Sequence, residues 1–248
     1  MQNSHAKAII KLDAIDSTND FLKKMARDNK LENYTIVTAR EQNKGRGQMG
    51  EVWISEPGKN LIASILIKNP LPSYNLLFAL NLSISIAVSE TLDELNIANI
   101  SIKWPNDIMA DRKKCGGILI ENILRNEVEF DSIVGIGLNV NQQNFDNLPL
   151  ATSLALHTNR SFDVDELVLK ILESIKNLTH NIPENIENLK QKYYQRLFRM
   201  NVPTAYRTAD NNDFMAIIRG IDNVGLLILE LEDGSIKSFG IKEVKMLY

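Results

Sequence analysis

Hydrophobic positions change their period several times along the chain, and each change marks an expected element. Ala8–Leu12 reads as a first strand, and Asp16-Ser17-Thr18-Asn19-Asp20 then gathers capping side chains ahead of Phe21, Leu22, Met25 and Ala26 at helical spacing, a helix expected to reach about Asn29. Tyr34–Arg40 is rich in β-branched residues and Leu61–Ile67 is a continuous apolar run, so both read as strands. Between them Glu41–Trp53 (EQNKGRGQMGEVW) breaks the pattern with three glycines and an arginine. Asn75–Leu95 carries Leu76, Leu77, Leu80, Ile84, Ala87, Val88 and Leu92 and is apolar nearly all round its middle, as a deeply buried helix would be. Ile100–Trp104, Ile108–Ala110, Lys114–Asn122 and Glu127–Asn139 read as strands. The first two flank a Pro105-Asn106-Asp107 bend. Helices follow from Asp163, in a capping-box-like Asp163-x-x-Glu166, and from Pro183 to about Phe198. Phe214–Arg219, Leu226–Leu231, Ser235–Phe239 and Val244–Leu247 are short strands between turn signals. The tail is therefore expected to be a small all-β domain, 200–248, following a larger domain, 1–199.

Composition narrows the class without choosing a function. With 248 residues, 44% hydrophobic and 24% charged, the chain is long enough for one large domain, or a large and a small one. No run approaches the roughly 18 apolar residues of a membrane span, and the first residues lack a signal-peptide pattern, so the expectation is a cytoplasmic protein with no membrane partner. Cys115 is the sole cysteine, and His5, His157 and His180 stand apart from it, which excludes an internal disulfide and a protein-built metal site. A net charge of −3 argues against a nucleic-acid surface, so any cationic site is assembled from a few chosen residues.

The candidate chemistry concentrates in polar runs at strand ends. Gly45-x-Gly47-x-x-Gly50 has the form of a dinucleotide fingerprint, but no helix opens at Glu51–Pro57, and the kinase-like extension through Val52 lacks any His-Arg-Asp or Asp-Phe-Gly triplet. The glycines let backbone N–H groups come close to a phosphate, to which Arg46 can add a charge-assisted contact; the same residues also suit a mobile surface loop. Ser17 and Thr18 add hydroxyls at a helix N-terminus able to take a carboxylate or amide oxygen, or simply to cap it. Lys103, Asp107 and Lys114 lie near strand ends where side chains converge on a cleft. Gly116-Gly117 within a strand suggests close approach by another group, and Cys115 beside them reads as a small buried filler. Val134-Gly135-Ile136-Gly137-Leu138-Asn139-Val140-Asn141 is either core or the floor of a pocket.

Five motifs together resemble the biotin–protein ligases: Ser17-Thr18-Asn19; Gln42 with Gly45-Arg46-Gly47-x-x-Gly50-x-x-Trp53; Lys103-Trp104-Pro105-Asn106-Asp107; Lys114-x-Gly116-Gly117-Ile118-Leu119-x-Glu121; and Gly135-Ile136-Gly137-x-Asn139-Val140-Asn141. They stand in the family's order within the first 141 residues. The resemblance implies an α+β fold, a mixed-sheet catalytic domain of the class II synthetase-like biotin/lipoate ligase type with a C-terminal SH3-like barrel. It implies an ATP-dependent reaction in which the biotin carboxylate attacks the α-phosphorus of MgATP, and a lysine of a biotin carboxyl carrier domain then takes the acyl group from biotinyl-5′-AMP. By that likeness Ser17, Thr18, Asn19, Gln42, Arg46, Gly47, Gln48, Lys114 and Gly116 hold biotin. Arg46, Trp53, Lys103, Asn106, Lys114 and Asn139 hold the nucleotide, and Asp107 orients or deprotonates the incoming amine. Mg²⁺ comes with ATP, without assigned protein ligands. Gln48 and Glu51 stand where the family's fuller loop pattern has arginines, and a first strand near Ala8 leaves no room for the DNA-binding segment of bifunctional members, so repression of transcription is not expected. Family members often pair through the catalytic sheet, so a homodimer falls within the likeness. A lipoate or octanoate attachment enzyme is the alternative, and a non-catalytic sensor a more distant one.

Overall fold

A computed structural model of the chain describes residues 9–28, 30–73, 76–126, 129–146 and 148–248. The expected element ends at Ala8, Asn29, Asn75 and Glu127 lie outside the described residues. A seven-stranded mixed sheet is built from β1 (Ile9–Ile15), β2 (Ile36–Gln42), β3 (Leu61–Lys68), β4 (Ile100–Lys103), β5 (Asp107–Ala110), β6 (Lys113–Leu124) and β7 (Phe130–Leu138), in the order β1-β2-β3-β7-β6-β5-β4. Only β1 and β2 pair in parallel; every other neighbour is antiparallel.

The alternation of β3 explains how both faces are covered. Leu61, Ala63, Ile65 and Ile67 join the main core with α2 (Leu77–Glu94) and α4 (Val164–Thr179), whereas Leu66 packs with Leu22 and Ala26 of α1 (Thr18–Asp28) in a second cluster on the other face. α2 is buried on nearly every side, and three of its hydroxyls bond back to its own carbonyls, Ser83 to Ala79 O at 3.0 Å, Ser89 to Ile86 O at 3.0 Å and Thr91 to Ala87 O at 2.8 Å, while the Ser85 hydroxyl is buried without a partner. Asp163 caps α4 by accepting from Asp165 N and Glu166 N, and α5 (Ile182–Arg196) carries Pro183 in its first turn. A short helix, α3 (Leu154–Thr158), capped by Ser153, was not expected, because five residues are too few to show a period.

The tail forms a five-stranded antiparallel sheet of β8 (Thr204–Thr208), β9 (Asp213–Ile221), β10 (Leu227–Leu231), β11 (Ile236–Phe239) and β12 (Val244–Leu247), ordered β11-β10-β9-β8-β12. β8 escaped the sequence reading. The expected small all-β tail is present as an antiparallel sheet, with β11 and β12 at the two ends of its strand order. The small sheet rests on the rest of the molecule through apolar contact, since Tyr206, Ile218, Leu227, Leu229 and Val244 belong to the same buried cluster as α2 and β3. Trp104 reinforces the junction, its indole N–H donating to Gly225 O at 2.9 Å.

Gly225 has φ +92°, and a Cβ there would run into the ring of Phe78, which itself meets the fully buried Tyr193 edge-on at 6.3 Å. Backbone strain and steric conflict act together at this position. Gly225→Ala is expected to lower unfolding free energy by about 2 kcal/mol or more in denaturant titration; a change below about 0.5 kcal/mol would contradict a rigid junction.

Candidate active site

One cavity of about 260 Å³ gathers most of the residues singled out from sequence. It is lined by the start of α1, the end of β2, the Gly45–Trp53 loop and the inner face of β6 and β7, with Ile241 and Lys242 from the tail. Ser17, Thr18, Asn19, Gln42, Arg46, Gly47, Gln48, Trp53, Asn106, Asp107 and Lys114 all line it.

Its first wall is a buried hydrogen-bond chain. Thr18 donates to Gln42 Oε1 from both its backbone N–H (2.8 Å) and its hydroxyl (3.0 Å); Ser64 donates to Thr18 Oγ1 (2.8 Å) or Asn19 Oδ1 (2.6 Å). Asn19 in turn donates to Glu121 Oε2 at 3.0 Å. Ser17 caps the helix by accepting from Asp20 N at 3.3 Å. Glu121 also takes Lys23 at 3.2 Å and Arg46 at 3.0 Å, while Arg46 reaches Asp20 at 2.6 Å. Burial pushes the Glu121 carboxyl up, but hydrogen bonds from Asn19 and Lys23 and the charges of Arg46 and Lys23 outweigh it and hold the group below its ordinary value.

The floor follows from the two-residue period of strands. Gly117 on β6 lies opposite Gly137 on β7, and Leu119 opposite Gly135, so these residues share a face. A Cβ on Gly137 would come within 2.6 Å of the Trp53 indole, and one on Gly135 within 2.5 Å of Asn19. The glycines therefore clear space for Trp53 and Asn19. The Trp53 N–H is buried without a partner, and Lys114 Nζ stands 5.8 Å from the ring centre.

Opposite the loop, β4 and β5 present a charge cluster. Asp107 Oδ1 is 2.5 Å from Lys114 Nζ, and its other oxygen is 3.5 Å from Lys103 Nζ. Asn106 is buried and donates to Ile118 O, which fixes the bend that carries Asp107. Lys114 from within the cavity and Lys103 from beside it flank the one carboxylate, and the Lys114 ammonium suits an anion brought beside Trp53. Among the described residues no group of three or more His, Cys, Asp or Glu side chains is placed to hold a metal ion.

Three expected residues sit elsewhere. Lys103 lines a neighbouring groove of about 570 Å³ between the two sheets. Gly116 faces Leu138 and Ile108 in the core, leaving the cavity to Gly117, because adjacent strand residues point to opposite faces. Asn139 is buried with its amide donating to Thr152 O at 3.1 Å, outside the cavity lining. Cys115 is the expected filler: it is fully buried, and desolvation pushes its thiol up to about 12. Sequence reasoning gave no role to Glu121, Ser64 or Lys242. Glu121 shares the period-2 face of Gly117 and Leu119, and Ser64 is the polar interruption of an apolar strand, so both left a signal. Lys242 left none.

The chain is an α+β protein with a glycine-floored pocket beneath a glycine-rich loop, its wall carrying lysine and arginine side chains. Residues 12–139 match the model of the biotin/lipoate A/B protein ligase family. A bifunctional ligase/repressor BirA of Bacillus spizizenii is 31% identical over 237 residues, covering 91% of this chain and 70% of that protein. A biotin–[acetyl-CoA-carboxylase] ligase of Paracoccus denitrificans is 28% identical, covering 86% of this chain and 90% of that one. Among solved structures, the biotin protein ligase of Aquifex aeolicus in complex with biotin and ATP superposes with a TM-score of 0.80 at 30% identity, covering 97% of this chain and 99% of that one. The chain belongs to the biotin/lipoate A/B protein ligase family.

Glu121 yields a pH-dependence with a defined sign. Its carboxyl is depressed in the fold from an ordinary value of 4.5, so its pairing contributes fully above that value and is lost as pH falls through the lower folded-state pKa. The unfolding free-energy gap between the native chain and Glu121→Gln is expected to be largest near neutrality and to shrink as pH falls below 4.5; a gap that stays constant through the acid range would refute this origin.

Proposed function

We infer that this chain is an ATP-dependent biotin–protein ligase, which converts biotin and MgATP to biotinyl-5′-AMP and passes the acyl group to a lysine of a biotin carboxyl carrier domain. The observation that carries the reading is the meeting of Lys114 and Asp107 with Trp53 and the glycine floor in one cavity, in a chain aligned almost end to end with a ligase holding biotin and ATP. The lipoate alternative is not favoured, since the relatives described above for which a single acid is named all name biotin.

The physical obstacle in the first step is bringing a carboxylate to a polyphosphate. Two like unit charges about 4 Å apart repel by about 4 kcal/mol at an effective dielectric constant of about 20. Lys114, with Lys103 behind Asp107, offsets that repulsion and stabilises charge gathering on the α-phosphate as the carboxylate oxygen bonds to phosphorus and pyrophosphate leaves. The Thr18–Gln42 pair and Asn19 offer polar groups to the ureido ring, and Trp53 an apolar surface with one free N–H. In the second step the carrier amine attacks the acyl carbon and AMP departs. Asp107 orients the incoming amine or takes its proton in this reading. The Gly45–Trp53 loop excludes water from the anhydride between the steps.

Residues 1–199 carry the chemistry in this reading, and residues 200–248 form a separate β domain that helps to enclose the site. A reaction that consumes MgATP supports a cytoplasmic location in this reading.

ATP–pyrophosphate exchange measured in parallel with biotin, lipoate, octanoate and no acid is expected to require biotin. Exchange with lipoate alone would transfer the chain to the alternative activity. Lys114→Ala is expected to slow exchange at least about a hundredfold, the scale of a lost preorganised charge contact, and a native rate would remove Lys114 from the reaction.

A further inference from the structure

Two cavity-lining residues come from the far end of the chain. Ile241 and Lys242 lie at the tip of the turn between β11 and β12, and Lys242 Nζ donates to the carbonyl of Met49 at 2.7 Å, across 193 positions of sequence. Both partners hold left-handed backbone, φ +70° at Lys242 and +53° at Met49, conformations that non-glycine residues keep only where their surroundings impose them. The turn is braced independently of the loop. Glu243 accepts from Gly240 N at 2.5 Å, its own N–H donates to Gly240 O at 3.2 Å, and its carbonyl takes Ala209 N at 3.2 Å.

The loop itself is a narrow hairpin with few outside supports. Gly47 N donates to Glu51 O at 2.6 Å and Trp53 N to Gly45 O at 3.0 Å, so much of its backbone bonding is internal. Its base is tied down by Arg46 and by Trp53 on Gly137. Its tip is tied by Lys242. The loop's own cations are already paired, Lys44 with Asp16 and Arg46 with Asp20 and Glu121, and Glu51 adds a negative charge. Lys242 differs in that its partner is a neutral carbonyl, so its charge remains uncompensated at the rim of the cavity.

We propose that Lys242 is a positioning residue, a clasp by which the C-terminal sheet holds the tip of the Gly45–Trp53 loop over the site and sets a positive charge at the rim where an acyl-adenylate is retained. The retention role rests on the ligase reading; the clasp itself does not. Because the loop is already held in a binding-competent arrangement before substrate arrives, less of the binding free energy goes into ordering it.

Trypsin reports the clasp without any substrate, since Lys44 and Arg46 offer cleavage sites inside the loop. Lys242→Ala is expected to raise the initial rate of cleavage there about tenfold, the scale of one charge-assisted hydrogen bond, and Lys242→Arg to restore protection. Lys242→Gly serves as a control for folding, because glycine relieves the left-handed strain while removing the amine; it is expected to unfold no more readily than the native chain yet expose the loop as Lys242→Ala does. With biotin and MgATP but no carrier, both amine-deleting variants are expected to release AMP about tenfold faster through escape and hydrolysis of the intermediate. Native protection in Lys242→Ala and Lys242→Gly would overturn the clasp. Faster cleavage with native AMP release would overturn its role in retention. A native chain without biotin-dependent exchange would instead overturn the ligase reading, while the cleavage comparison still decides the clasp.

Discussion

The hydrogen-bond chain from Gln42 through Thr18, Ser64 and Asn19 to Glu121 and Arg46 is the interaction on which the site's geometry depends. Its members come from α1, β2, β3 and β6 and from the loop, and several are almost fully buried. Leaving any one unpartnered would cost the desolvation of a buried polar group, about 1–3 kcal/mol, so each element is held in register with the others. The N-terminus of α1 is thereby fixed against β3 and β6. Arg46, bound to Asp20 and Glu121, ties the glycine-rich loop to the same frame.

The second constraint is steric. Gly117, Gly135 and Gly137 share one face of two neighbouring strands, and the space their side chains would take is filled by Lys114 of the same strand as Gly117, by Asn19 from α1 and by Trp53 from the loop. A floor of this kind lets a large indole and a cationic chain lie side by side without opening the sheet. Opposite it the Pro105-Asn106-Asp107 bend, pinned by Asn106 and by Asn81 donating to Pro105 O, delivers Asp107 between two lysines. Apolar floor and charged wall together suit a substrate with a hydrocarbon body and an anionic end.

The small sheet belongs to this arrangement through its buried side chains. Its apolar residues merge with the cluster around α2, Trp104 and Gly225 close the seam, and the β11–β12 turn then reaches the cavity. A reaction whose intermediate must be kept from water benefits from a roof anchored on a second rigid element, because a hairpin closed only on itself would open readily.

The sequence alone located most of the elements and pointed to most of the residues that meet in the cavity. The 3.6 and 2.0 periods located the long helices and most strands, Asp163 marked the start of α4, and the ordered motifs named Thr18, Gln42, Arg46, Trp53, Asp107 and Lys114, all of which line one cavity. Local periodicity passed over what was too short to show it, such as α3 and β8. Tertiary structure decided which neighbours in a motif share a face. Gly117 turns to the cavity while Gly116 turns to the core, and Asn139 is held by Thr152. It also recruited Ser64, Glu121 and Lys242. The reason is physical: periodicity and capping act between residues a few positions apart, whereas side-chain direction, charge pairing and the reach of Lys242 to Met49 exist only once distant segments have packed.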